Sequence, residues 1–191
     1  MLVSCSLLLF HMVHGAVPTD FVTSTILPIP KTKHVSELTS DNFRGIALSS
    51  IYVKLFDNIV ICKYYDKLCT SELQFGFKQH SSTHMCTMVI KETISYYVHQ
   101  NSSVFCTFLD ASKAFDRVNY CKLFRRLMER GLPPYIIRVL INMYTAKQAC
   151  VSWAGIVSDY FSVCTGVRQG GVLSPILFSV CLLYTSPSPR D

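Results

Sequence analysis

Two periods alternate along the chain. Residues Phe21–Ile29 (FVTSTILPI) and 42–49 (NFRGIALS) have strand character, the first closed by Pro28 and Pro30. Together they predict a hairpin with a charged face. From about Ser50 to Cys69 the apolar positions Ile51, Leu55, Ile59 and Cys62 recur at helical spacing with Lys54 and Asp57 between them, and Ser49 or Ser50 suits the N-cap. A Gly-containing loop at 73–83 leads into a predicted helix from Ser82 to His99. A buried strand from Val104 to Leu109 then runs into Asp110, and a helix is predicted over about Ser112–Arg130, stopped by Gly131 with Pro133 and Pro134 beyond. Residues 134–146 predict another helix, with Ile136, Ile137, Leu140, Ile141 and Tyr144 on one side. Gln148–Cys164 reads as a β-hairpin turning near Ala154–Gly155. The loop TGVRQGG opens a last apolar helix, with Pro175 suited to its first turn. No internal repeat is visible.

The stretch 103–118, SVFCTFLDASKAFDRV, organises the rest. A strand that delivers a carboxylate at its C-terminal end, followed at once by a helix, is a common way to hold an acid over a metal or phosphate site. Mg²⁺ takes one or two protein carboxylates plus substrate phosphates, so Asp110 can begin such a site. The competing reading is that Asp110 only caps the helix after it.

Composition narrows the class. Half of the 191 residues are hydrophobic, 12% are aromatic and 16% charged, which excludes global disorder and suits one domain or two interleaved lobes. The net charge of +6 points toward a polyanionic partner. Positive residues recur at Lys31, Lys33, Arg44 and Lys54 and again at Lys122, Arg125, Arg126 and Arg130, a spread that suits a lined groove or, for the second cluster, a solvated helix face. Nine cysteines, an odd number without a C-x-x-C pair, read as reduced thiols rather than disulfides or zinc ligands, which predicts an intracellular protein without a disulfide-linked partner. His80 and His84 are spaced i, i+4 but lack the glutamate of a zincin helix. The apolar N-terminus mimics a signal peptide without a basic flank; a helix ending at Gly15 is the alternative, and the run is too short to span a membrane.

Three features form one chemical set: strand–Asp–helix, an Arg-bearing hairpin, and a G-x-R-Q-G-G loop opening a helix. The loop glycines let backbone approach a substrate, and the Gln169 amide can both donate and accept. Arg44 and Lys31 can neutralise phosphates, the first bidentately and the second as a point charge.

In their order and spacing, ILPIPK (26–31), NFRGIALSS (42–50), QFGF (74–77), FLDASKAFDRV (108–118) and GVRQGGVLSPILF (166–178) resemble the blocks of a reverse transcriptase of the non-LTR (LINE-like) retrotransposon type, over about residues 14–180. The resemblance implies an α+β fold, a right-hand polymerase with fingers and a partial palm whose sheet is of ferredoxin-like (RRM-like) type. Residues 1–100 would form the fingers region and 101–183 the partial palm with interleaved fingers elements. It implies RNA-directed DNA synthesis on a primer 3′-OH by two-metal nucleotidyl transfer. The expected cofactor is Mg²⁺, two ions in the complete enzyme. The expected partners are an RNA template, a DNA primer and deoxynucleoside triphosphates, without a membrane, in cytoplasm and nucleus. By the same resemblance Asp110 is the catalytic, metal-binding aspartate. Phe115 is the bulky residue that blocks a 2′-OH, Lys31 and Arg44 hold the triphosphate, and Gln169 with Gly170 contact the nucleotide and templating pair. Asp116 is expected to serve structure, as a helix N-terminal charge or in a local pair.

The sequence departs from the family pattern in three places. The second acidic block, F/Y-x-D-D, is not present and no two acids are adjacent anywhere, so this chain alone is expected to be inactive. From about Cys181 the text leaves the family, and 184–191 are expected to be a non-native tail. Gly45 stands where many relatives carry proline. The alternative function is a non-catalytic nucleic-acid-binding module derived from a retroelement; a small secreted protein built on the apolar N-terminus is the third reading.

Overall fold

The structure, a computed structural model, describes residues 15, 17–32, 39–78 and 81–185, with side chains to Leu182. The readings placed on the N-terminal apolar run, Lys33, His80 and residues 186–191 lie outside these. The chain divides into two compact units: residues 1–69 together with those from Ala114 onward, and Thr70–Lys113.

The larger unit begins with a short helix, α1 (Thr19–Val22), which runs directly into β1 (Thr23–Pro30). The predicted strand over Phe21–Ile29 is thus shorter at its start, where Pro18 opens a helical turn that buries Phe21. A 3₁₀ turn at Ser40–Asn42 leads into β2 (Phe43–Leu48), which pairs antiparallel with β1 in the register Ile26↔Ala47, Pro28↔Gly45 and Ile29↔Arg44. The expected hairpin is present. Next, α2 (Ile51–Leu68) starts at Ser50, whose hydroxyl accepts the Val53 N–H at 3.4 Å. Removing that cap in Ser50→Ala is expected to cost about 1 kcal/mol, read from the denaturant midpoint at unchanged slope.

After Ala114 a 3₁₀ turn (Ala114–Arg117) precedes α3 (Tyr120–Glu129). The helix predicted from Ser112 therefore begins later, because Asn119 is its N-cap and accepts the Lys122 N–H at 3.1 Å. Glycine and prolines then stop it as expected, and α4 (Pro134–Thr145) follows. Strand β3 (Gln148–Trp153) lies parallel to β1, and the short β4 (Ile156–Val157) and β5 (Phe161–Ser162) pair antiparallel with it, giving the order β2-β1-β3-β4 with β5 also on β3. The turn between β3 and β4 places Ala154 and Gly155 at φ 47° and 81°, the left-handed pair that a two-residue hairpin needs. Last comes α5 (Ser174–Thr185), which carries helical backbone past residue 184, where a non-native tail was expected to begin.

This is a mixed α+β arrangement with a small mixed sheet. Its core packs α2, α3, α4 and α5 together through Val60, Leu123, Leu127, Ile136, Leu140, Leu173 and Leu177, each fully buried. The buried stripe of α2 is Val53, Phe56, Asp57, Val60 and Tyr64, while Ile51, Leu55 and Ile59, the stripe read from the sequence, face solvent.

The smaller unit holds α6 (Thr83–His99), capped by the Ser82 hydroxyl on the Met85 N–H, with no side chain of the helix buried. The strand predicted over Val104–Leu109 is not formed: residues 102–110 have no assigned secondary structure, and Phe105, Phe108 and Leu109 are almost fully exposed. A strand exists only by pairing its backbone groups with a neighbour, and no described segment supplies the ladder here.

Candidate nucleotide-binding site

The loop Thr165–Leu173 is held to the larger unit by hydrogen bonds along its whole length. At its entrance Gly166 has φ +79° and donates its N–H to the Val118 carbonyl at 3.1 Å, while the Val167 N–H reaches the Phe115 carbonyl at 2.8 Å. The Gly166 carbonyl accepts from the Tyr120 hydroxyl at 2.8 Å and from the Lys147 ammonium at 2.9 Å. In its middle, the Arg168 guanidinium points inward and donates to the Phe21 carbonyl at 2.6 Å. Gln169 faces the sheet: its carbonyl accepts the Ala47 N–H at 2.6 Å, and its amide nitrogen donates to the Asp116 carboxylate at 3.3 Å. The Gly171 N–H closes a turn on the Arg168 carbonyl, and the Leu173 N–H donates to the Asp57 carboxylate at 3.2 Å.

Glycine is required by close approach as well as by dihedral angle. Gly170 has φ +101°, and a Cβ there would stand 3.2 Å from the Ala47 carbonyl and from the Ile46 side chain. The loop thus lies flat on β2. A cavity of about 180 Å³ opens between loop and sheet, lined by Ile26, Gly45, Ala47, Lys147, Gln169 and Asp116 among others.

The electrostatics beneath the loop are unusual for a core. Lys147, 5% exposed, is pushed down to about 8, first by burial and then by the Arg168 charge, and stands over the rings of Tyr120 and Tyr144. Burial likewise lowers Arg168 and drives Asp57 up to about 6, although the N–H of Leu173 and the charge of Arg168 pull Asp57 back. The sequence pattern sets Asp57 between the apolar positions of its helix and gives no role to Arg168 or Lys147. The signal for Asp57 was its place in the i, i+4, i+7 series Val53–Asp57–Val60.

The predicted site residues fall as follows. Arg44 is exposed on β2, its side chain without a hydrogen bond or ion pair among the described residues; Lys31, exposed just past the end of β1, donates to the Asp41 carbonyl at 2.6 Å. Gln169 and Gly170 are brought against β2, the strand that carries Arg44. Phe115 is half-buried beside the core and stacks on Phe178 of α5, ring centroids 4.9 Å apart and planes 18° from parallel. The Asp116 carboxylate accepts from the amide nitrogen of Gln169, a partner 53 residues on in the sequence rather than a local one. Asp110 belongs to the smaller unit and is exposed in the unpaired run before Lys113. Among the described residues no group of three or more histidine, cysteine, aspartate or glutamate side chains could hold a metal ion, and no helix is long and apolar enough to cross a membrane.

Residues 29–188 match the reverse transcriptase (RNA-dependent DNA polymerase) family. Among curated relatives, the chain is 27% identical over 177 residues to the retrovirus-related Pol polyprotein from type-2 retrotransposable element R2DM of Drosophila melanogaster, covering 91% of this chain and 17% of that protein. It is 27% identical over 189 residues to the corresponding polyprotein from type-1 element R2 of Popillia japonica, covering 93% of this chain and 26% of that protein. To the RNA-directed DNA polymerase from mobile element jockey of Drosophila melanogaster it is 28% identical over 172 residues, covering 87% and 18%. The chain thus spans between about a sixth and a quarter of the length of these relatives, all from non-LTR retrotransposons. With residues 29–188 of its 191 matched, the chain belongs to the reverse transcriptase (RNA-dependent DNA polymerase) family.

Proposed function

We propose that these residues form the nucleotide-binding part of an RNA-directed DNA polymerase, the fingers and the first part of a palm. The observation that carries this reading is the 2.6 Å hydrogen bond from the Ala47 N–H to the Gln169 carbonyl. It joins two segments that sequence reasoning had separately assigned to the incoming nucleotide. Arg44 of the first is unpaired among the described residues and available to a phosphate; Gln169 of the second presents an amide at the rim of the cavity. Phe115, braced by Phe178, would present a rigid ring edge to the sugar, and Lys31 would add a second positive charge.

Reverse transcriptases generally use divalent metal ions, which activate a hydroxyl nucleophile and clamp phosphates. The described residues do not build such a centre by themselves. Asp110 would supply one ligand, and the F/Y-x-D-D block that would supply others does not occur in this sequence. The 191 residues are therefore proposed to bind without polymerising. Template, primer and an intracellular location are part of the same reading.

The test is titration of the chain with a deoxynucleoside triphosphate and with an RNA–DNA primer–template. Both are expected to bind, the second with affinity that falls as salt rises. Arg44→Ala should weaken triphosphate binding about tenfold, the loss of one charge-assisted contact. Failure to bind either ligand more tightly than a protein of equal charge and unrelated fold overturns the reading. Nucleotide incorporation by the chain alone would overturn its inactivity.

A further inference from the structure

We infer that Asp57 is a positioning residue for the nucleotide-binding loop: from beneath, its carboxylate fixes the exit of the Gln169–Gly170 turn through the Leu173 N–H. The inference rests on the nucleotide-binding reading above and deepens it.

Asp57 sits on the core face of α2, 5% exposed, between Phe56 and Val60. A carboxylate there is costly unless it is paired or hydrogen-bonded, so a purely packing role would be better filled by leucine. What it does contact is specific. Its Oδ2 accepts the N–H of Leu173, itself fully buried and the last residue before α5. The first turn of a helix presents backbone N–H groups without intrahelical acceptors and a positive dipole end, so an anion there both satisfies and orients the turn. Asp57 does this across the fold, from another helix, which ties α2 to the start of α5.

The tether acts on the loop as a whole because the loop is pinned elsewhere too. Gly166 is held at one end by Val118, Tyr120 and Lys147, and Gln169 is bonded to β2 in the middle. Between Gln169 and Leu173 the path is set by the approach of Gly170 to β2, the turn of Gly171 on Arg168, and the Asp57 carboxylate, which the backbone N–H groups of Val172 and Leu173 both meet. Releasing Leu173 frees that segment, and with it the angle at which Gln169 meets a ligand. The charged and titratable groups facing Asp57 are Arg168 from the loop and Tyr144 from α4, whose hydroxyl bonds Ser174 at the start of α5. Burial outweighs the Leu173 N–H and the Arg168 charge, so the closed site holds the Asp57 proton more tightly than water does and loosens as the carboxyl ionises.

Amide hydrogen exchange on the 191-residue chain reads this directly. In the wild type, protection at Gln169–Leu173, corrected for intrinsic exchange, should fall about tenfold between pH 5 and 7, as ionisation of the buried carboxyl favours an opened, solvated site. Asp57→Asn, which keeps an acceptor and removes the charge, should make that profile flat. Asp57→Leu should lower protection in the same segment while amides of α3 and the centre of α4 keep theirs; if it does not fold, the asparagine variant carries the test. Triphosphate affinity should follow the same pH profile in the wild type and lose it in Asp57→Asn. A loop whose protection is independent of pH and unchanged in Asp57→Asn overturns the positioning role. Loop protection that follows Asp57 in a chain that binds no nucleotide supports the anchor and instead overturns the nucleotide-binding reading.

Discussion

Gly166→Val should abolish cooperative folding of the larger unit, and Gly166→Ala should destabilise it severely. A Cβ at residue 166 would stand 2.7 Å from the Asp116 Cα and from the Phe115 carbonyl oxygen, and 2.8 Å from the Asp116 carbonyl oxygen. All three are backbone atoms of the 3₁₀ turn, so no rotamer change relieves the contact. The backbone at φ +79° adds strain of its own for any side chain. Moving the loop away would break the hydrogen bonds of Gly166 and Val167 to Val118 and Phe115 and withdraw the acceptor of Tyr120 and Lys147. Strain of about 1–3 kcal/mol and the loss of several buried hydrogen bonds at about 1 kcal/mol each consume most of a stability of about 5–15 kcal/mol. Circular dichroism against temperature measures the result: a sigmoidal transition in the wild type, and none or one lowered by more than ten degrees in the variants. A transition of Gly166→Val matching the wild type would show that the loop can leave the turn without loss.

The contrast between Gly166 and Asp57 indicates what the sequence makes legible. The G-x-R-Q-G-G run announces a close backbone approach, because glycines at such spacing have little other physical use. The strands at 23–30 and 43–48, the helix boundaries set by Ser50, Ser82 and the Gly131–Pro133–Pro134 stop, and the 154–155 turn are equally visible, since each rests on chemistry local to a few residues. What was not legible depends on partners distant in sequence. Helix α2 is apolar on more than one side, so Ile51–Leu55–Ile59 and Val53–Val60–Tyr64 are equally good stripes until something docks on one of them. The packing of the fold buries the second stripe, and Asp57 with it. Val104–Leu109 has every local preference for a strand and still lacks a partner among the described residues; propensity cannot form a ladder alone. Nothing local marks Lys147 and Arg168 as buried, because burial of a charge is a property of the assembled core.

Burial of Asp57 also has a thermodynamic sign opposite to that of most carboxylates. Its folded-state value is about 6, above the ordinary 3.8, because loss of solvent outweighs the Leu173 N–H and the Arg168 charge. The native state therefore holds the proton more tightly than the unfolded chain. The stability that this group contributes is fully present below pH 3.8 and is lost as pH rises through 6, a swing of about 3 kcal/mol. Other groups titrate in the same range, but they are common to wild type and Asp57→Asn and cancel in the difference. Asparagine has no proton to lose. The stability of Asp57→Asn relative to wild type is thus expected to rise by about 3 kcal/mol from the acid limit to pH 8, most of it between pH 4.5 and 7. Urea midpoints at fixed slope, taken for both proteins at each pH, give the difference. A flat difference means that Asp57 is solvated in solution and that its bond to Leu173 does not persist. A rising one means that the chain keeps a carboxylate where a neutral isostere would be more stable at neutral pH. That trade is common where geometry of a binding loop, rather than stability of the core, has been the quantity under selection.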